Sequence, residues 1–176
     1  MNVTLYGAAS ESIDRIYIER VEELGLALAN EGHTMIFGGG ASGLMGAAAR
    51  GMQKGKGKII GVIPHFIHEF EPVYDGCTEL IHTETMAERK DEMEGLADAF
   101  IIVPGGIGTF DELFQILTLK VLKQHDKPII LYNINGFWDG MLSVIGTDIF
   151  KGFISKSVAD GFVLCETPES VLRALK

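Results

Sequence analysis

Cysteine is nearly absent from this 176-residue chain: Cys77 and Cys165 are the only two, and neither belongs to a CxxC pair. That argues against a disulfide scaffold or a structural zinc site and for two free thiols in a reducing compartment. No GxxxxGK[ST] occurs, so the chain is not a P-loop ATPase. No apolar run is long enough to span a bilayer. The N-terminal MNVTLYGAAS lacks the basic n-region and long apolar h-region of a signal peptide. Positive charge is scarce as well: 15 Lys and Arg against 24 Asp and Glu leave a net charge of −9. Such a surface is a poor footprint for DNA, RNA or anionic lipid. The expectation is a cytoplasmic protein that partners neither a nucleic acid polymer nor a membrane. If it binds phosphate, a few local donors must do so against the overall field, which favours a small nucleotide.

What is present is an ordinary globular composition, 47% hydrophobic and 22% charged, which argues against disorder. The length suggests one domain over residues 1–176, large enough to bury a core without disulfide or metal. Short apolar runs alternate with longer helical periods. Strands are expected at Val3–Tyr6, His33–Phe37, Lys58–Ile63, Thr78–His82, Ala99–Val103, Lys127–Tyr132 and Phe162–Cys165. Helices are expected from a Ser12 cap to about Asn30, through Ala47–Ala49 to near Gly55, over Thr85–Ala97, Phe110–Lys123 and Trp138–Phe150, and from Pro168 onward. Pro64 to Gly76 is expected to be a loop. Alternation of this kind predicts right-handed βαβ crossovers: a Rossmann-like three-layer α/β sandwich with a mainly parallel sheet and helices on both faces. In such sheets ligands bind beyond the carboxyl ends of the strands, where the glycine-rich segments of this chain fall.

Three segments carry chemistry. In PGGIGTFDE, Pro104 to Glu112, the glycines Gly105, Gly106 and Gly108 permit positive φ and let backbone N–H groups converge before a helix that Thr109 opens. A helix start of that kind suits a phosphate. Thr109-x-x-Glu112 also fits a capping box, which gives Glu112 a purely structural alternative. GGGASGLMG, Gly38 to Gly46, is a second glycine-rich turn between a strand and a helix. A dinucleotide fingerprint would follow the first strand rather than the second, so NAD binding is disfavoured. In MAERKDEM, Met86 to Met93, a 3.6-residue period puts Arg89 and Lys90 on the stripe of Met86, Met93, Leu96 and Ala97. A cation on an apolar stripe needs a partner, either a structural carboxylate or a ligand phosphate.

Weaker signals have plainer readings. His65-x-x-His68, before Glu69 and Glu71, could bind metal but reads more simply as a surface loop. Lys54-Gly55-Lys56-Gly57-Lys58 reads as a solvated turn. Phe66, Phe70 and Tyr74 either shape a pocket lid or pack, and Thr118 either bonds its own helix or faces the site.

Together and in this order, GGGASGLMG, MAERKDEM and PGGIGTFDE resemble the LOG (Lonely Guy) family, the cytokinin riboside 5′-monophosphate phosphoribohydrolases, often labelled lysine decarboxylases. The resemblance extends over nearly the whole chain, through HDKPIILYNINGFWDGML. It implies hydrolysis of the N-glycosidic bond of a nucleoside 5′-monophosphate, of AMP or cytokinin riboside monophosphate type, to free base and ribose 5-phosphate. It implies a homodimer whose sites are completed across the interface, and it calls for no cofactor and no metal. Arg89 and Glu112 match the catalytic pair; Lys90, Gly105, Gly106, Gly108, Thr109 and Thr118 match ligand-contacting positions. With Gly39, Gly40, Gly43 and Met45 of the first glycine turn and Ile107 of the second, these residues make up the expected substrate site. Nothing marks a lysine for pyridoxal phosphate, so the decarboxylase label finds no support. The alternative is a non-catalytic nucleotide-binding or molybdenum-cofactor carrier protein, a function that similar folds serve.

Overall fold

The computed structural model describes residues 1–69 and 72–176, with the side chains of His68 and Glu69 left aside. Seven strands run parallel: β1 (Asn2–Tyr6), β2 (Thr34–Phe37), β3 (Ile59–Pro64), β4 (Glu79–Thr83), β5 (Ala99–Ile102), β6 (Ile129–Tyr132) and β7 (Val163–Cys165). Their order in the sheet is β4-β3-β2-β1-β5-β6-β7. The helices are α1 (Arg15–Asn30), α2 (Gly43–Lys54), α3 (Met86–Leu96), α4 (Ile107–Val121), α5 (Asp139–Lys151), the short α6 (Lys156–Ala159) and α7 (Pro168–Ala174).

Residues of one strand alternate between two cores, as the two-residue period requires. Val3 and Leu5 of β1 pack with Val21, Leu24 and Leu28 of α1, Ala47 and Ala48 of α2, and Val171. Tyr6 faces the other way and joins Met93 of α3, Leu113, Ile116 and Leu117 of α4, and Trp138. The interior strands carry apolar residues on both faces because helices cover both. Strand after strand, the chain moves outward from β1 to β4 and then returns, so that β5 pairs with the other edge of β1. The direction of winding reverses there, and the two connections that follow β1 and β5 diverge to opposite faces. A crevice opens at the carboxyl ends of those two strands.

Local chemistry moves several expected boundaries. Asp14, not Ser12, caps α1, its Oδ1 accepting from the Ile16 N–H at 3.2 Å. The segment after β3 is not entirely loop, since His65–Glu69 form a 3-10 turn. Most consequential, α4 begins at Ile107, three residues before Phe110, and its N-cap is Gly106, with no side chain capping the helix.

Candidate active site

A cavity of about 350 Å³ occupies the crevice. Gly7, Ala8, Ala9 and Ser10, which follow β1, form one wall. Gly38 and Met45 contribute from the β2–α2 connection, Ile67 from the 3-10 turn, and Met86 and Arg89 from α3. Gly106, Gly108, Thr109 and Glu112 contribute from the start of α4.

The second glycine segment works as a helix start open to the cavity. Because Gly106 caps α4 without a side chain, the first-turn N–H groups of Ile107, Gly108 and Thr109 meet no capping oxygen. They lie at the positive end of a 15-residue helix. None of Gly105, Gly106 and Gly108 uses the positive φ that glycine permits. Their use is the missing side chain. A Cβ at Gly106 or Gly108 would meet nothing within 4 Å, so both leave the surface bare for an approaching ligand. Gly105 instead makes room for the Thr109 side chain and lines an adjoining apolar recess with Ile13, Tyr17, Leu44 and Phe137.

The capping-box alternative for Glu112 is excluded by the same geometry. Thr109 sits inside the helix and is buried, and Glu112 turns toward α3. There Arg89 and Glu112 are both 8% exposed, with Nη2 of the guanidinium 3.3 Å from Oε1 of the carboxylate. One residue on, Lys90 Nζ lies 2.9 Å from Asp111 Oδ2. Two consecutive cations of α3 thus face two consecutive carboxylates of α4, which gives the cations of the apolar stripe their partners. Lys90 is half-buried in that pair and does not line the cavity. Burial pushes the Glu112 carboxyl from its ordinary 4.5 up to about 7, against the lowering pull of Arg89 and with a further rise from Asp111. A carboxyl poised near neutrality in a cleft is a hallmark of catalytic acids and bases.

The first glycine segment does different work from that expected. Gly38 admits Arg89, since a Cβ there would collide with the guanidinium. Gly39 and Gly40 pair with the strand-like segment ahead of β4: the Tyr74 N–H donates to Gly39 O at 2.8 Å, and Gly40 bridges Val73. Gly43, at φ +58°, packs against the backbone of Ala8 to Ser10. The N–H groups of Leu44 and Met45 donate to Ala8 O at 2.8 and 3.4 Å, so the start of α2 is spent on the β1 loop rather than held open. Of this segment's expected site residues, only Met45 reaches the cavity.

Two other expected residues fall on the outer side of α4. Ile107 is 87% exposed. Thr118 is exposed in a separate shallow groove with Asp111, Phe114, Gln115 and Leu119. Tyr74 packs edge-on against Phe37 and donates to Gln53, so it is a core residue rather than a lid. His65 stacks on His82 with ring centroids 4.8 Å apart. Among the described residues no group of three or more His, Cys, Asp or Glu side chains could hold a metal ion; Phe70 and Glu71 lie outside them. No described helix is long and apolar enough to cross a membrane. Sequence reasoning missed Gly7 to Ser10, Gly38, Ile67 and Met86 as cavity residues. A run of four small residues directly after the first strand was the available signal for that wall.

The model of a family described as "Possible lysine decarboxylase" matches residues 45–175. The cytokinin riboside 5′-monophosphate phosphoribohydrolase of Mycobacterium tuberculosis is 38% identical over 172 residues, 98% of this chain and 91% of that protein. The enzyme of the same name from Rhodococcoides fascians is 34% identical, covering 99% of this chain and 89% of its own. Among solved structures, the molybdenum cofactor carrier protein of Chlamydomonas reinhardtii superposes with a TM-score of 0.75 at 20% identity, over 99% of this chain and 94% of that one. That likeness is one of fold.

Proposed function

The chain belongs to the LOG family, and from that premise we propose that it hydrolyses the N-glycosidic bond of a nucleoside 5′-monophosphate, of the AMP or cytokinin riboside monophosphate type. The products are the free base and ribose 5-phosphate. The observation that carries the reading is the buried Arg89–Glu112 pair, which lines the same cavity as the uncapped start of α4.

The phosphate is assigned to the first-turn N–H groups of α4 at Gly106 to Thr109, which supply donors and a positive dipole end in an otherwise acidic protein. The sugar then lies toward Glu112, one turn further along the helix. Cleavage of C1′–N develops oxocarbenium charge on the ribose, as in glycoside hydrolysis. The ionised Glu112 carboxylate stabilises that charge and accepts the proton of the water that attacks C1′. The electron pair of the broken bond leaves with the base, which takes up one proton. Arg89, freed from its ion pair by the ligand, anchors the phosphate or steadies the departing base, and Lys90 supports it through Asp111.

The same reading includes a homodimer. Ile107 and Phe114 of α4 and Leu122 at its C-cap recur at helical spacing and are 87%, 43% and 62% exposed. Thr118, which the family resemblance puts against the ligand, shares that outer side while lying outside the cavity of its own chain. A second copy packed there covers the apolar stripe and brings Thr118 to the neighbouring site. A cytoplasmic location accords with the two free thiols.

The test is incubation with AMP and with isopentenyladenosine monophosphate, with chromatography of the released base. Base release from either, lost in Glu112→Gln, is the expected result. A folded protein that binds both and releases neither base overturns the enzyme reading.

A further inference from the structure

Three neighbours decide where the Arg89 guanidinium points. Nη2 lies 3.3 Å from Glu112 Oε1. Gly38 stands so close that a Cβ there would come within 2.1 Å of Nη2. Nη1 donates to the Met86 sulfur at 3.9 Å. That last contact is the weak one, because a thioether is a poor acceptor. Nε, on the same guanidinium, is buried and has no acceptor among the described residues. Apart from its pair with Glu112, the cation is therefore held loosely.

Met86 opens α3 and lines the cavity, 39% exposed. Of the seven methionines, only the terminal Met1 is comparably open. Met35, Met52 and Met93 are fully buried, Met45 is buried, and Met141 is half-buried. The two cysteines compete poorly for an oxidant. Burial pushes the Cys77 thiol up to about 11 and raises that of Cys165, so neither is a thiolate at neutral pH. The sulfur most open to a small oxidant within the fold is thus the one in contact with the site's buried arginine.

We propose that Met86 is a modification site: a hydroperoxide entering the cavity oxidises its sulfur, and the resulting sulfoxide captures Arg89 and turns the site off. The sulfur lone pair attacks one peroxide oxygen, and an S–O bond forms as the O–O bond breaks. With hydrogen peroxide, the departing hydroxide takes the proton of the transferred oxygen and leaves as water. Sulfur loses two electrons and the peroxide gains them. The new oxygen stands one bond beyond the sulfur that Nη1 already touches, and it carries partial negative charge. A charge-assisted hydrogen bond to oxygen replaces a weak contact to sulfur. The guanidinium is then drawn from Glu112 and withheld from an incoming anion. The step is reversible, since reductases return methionine sulfoxide to methionine. Its effect on turnover rests on the reading of Arg89 as part of the active site.

The experiment exposes the parent protein and Met86→Leu to hydrogen peroxide. Trypsin frees residues 59–89, which hold Met86 as their single methionine. A one-oxygen mass gain should appear there about tenfold faster than in the peptides of Met35, Met52 and Met93, because exposure governs oxidation. With Met86 oxidised, kcat/KM on AMP should fall about tenfold, the effect of a hydrogen bond to a charged group that must be broken. Treatment with the reductases of both sulfoxide epimers should restore it. Met86→Leu should keep its own starting rate through the same treatment. The 15N resonance of Arg89 Nε, identified by its loss in Arg89→Lys, gives a readout independent of turnover. It should move on oxidation of the parent and stay in place in Met86→Leu. Oxidation of Met86 that leaves both rate and resonance unchanged overturns the proposal, as does equal loss of rate in the two proteins. A resonance that moves in a protein that never releases base sinks the hydrolase reading and leaves the capture of Arg89 standing.

Discussion

Replacing Glu112 by Gln should abolish turnover and yet stabilise the protein above neutral pH, by an amount that the carboxyl's environment sets. In the unfolded chain the carboxyl ionises near 4.5; in the folded chain it does so near 7. Below 4.5 it is neutral in both states. Between those values the folded chain keeps a proton that the unfolded chain has released, so stability falls as pH rises. Above 7 the full cost is in place. At about 1.4 kcal/mol per pH unit the cost comes to about 3 kcal/mol. Gln mimics the neutral carboxyl in size and leaves Arg89 no worse paired than a protonated Glu112 does. The two proteins should therefore have similar stability at pH 4.5, and the Gln variant should gain about 3 kcal/mol over the parent by pH 8. In a chain of this length that amounts to roughly 6–12 °C in melting temperature. Urea unfolding at a series of pH values, with matched slopes, measures the difference, and groups common to both proteins cancel. Curves that run parallel from pH 4.5 to pH 8 would show that the carboxyl is not held neutral by burial.

Other consequences can be checked with single variants. Base release from AMP should rise with pH along a limb centred near 7, because the ionised Glu112 is the working form; a flat profile between pH 6 and 8 contradicts that role. Gly43→Ala puts a side chain at φ +58° and against the Ala8 carbonyl, and should cost about 2–4 kcal/mol in chemical unfolding. Gly106→Ala meets nothing in the protein, so its melting temperature should stay within about 2 °C of the parent while KM for AMP rises at least tenfold. Ile107→Glu puts a charge in the exposed stripe of α4, and should yield a folded monomer by light scattering if that stripe joins two copies.

Strands were the most legible part of the fold. All seven expected runs proved to be strands. Inside the sheet β3, β5 and β6 read clearly because burial on both faces demands unbroken apolar segments, whereas β4 at the edge, ELIHT, is mostly exposed and showed only a short run. Helix starts were less legible. The expected caps carried hydroxyls, whereas α4 is capped by Gly106, a residue with no side chain to betray it, and its first turn was therefore placed three residues too late. In the site, Arg89 was legible because a cation on an apolar stripe is energetically anomalous. Its partner could not be identified from sequence, since the pairing of α3 with α4 depends on β5 joining β1 after three strands have intervened. Gly38 to Gly46 misled for a related reason. Glycine-rich turns at strand ends look alike whether their amides serve a ligand or another loop, and here Ala8 O takes those of Leu44 and Met45.

Fold alone does not separate a hydrolase from a carrier, as the superposition on the Chlamydomonas reinhardtii carrier makes plain. The chemistry of the cavity weighs toward the hydrolase. A protein that only holds a phosphorylated ligand gains nothing from a carboxylate in the same cavity: it repels the phosphate, draws off the Arg89 guanidinium, and destabilises the fold at neutral pH when ionised. A neutral amide at position 112 would bind an anion better and fold more stably. The carboxylate is advantageous only where positive charge develops, and in a nucleoside monophosphate that charge arises at C1′ as the base departs. Binding and turnover should therefore respond in opposite directions to Glu112→Gln: affinity for AMP equal to or tighter than that of the parent, and base release lost. A carrier would show the first change with no base release to lose.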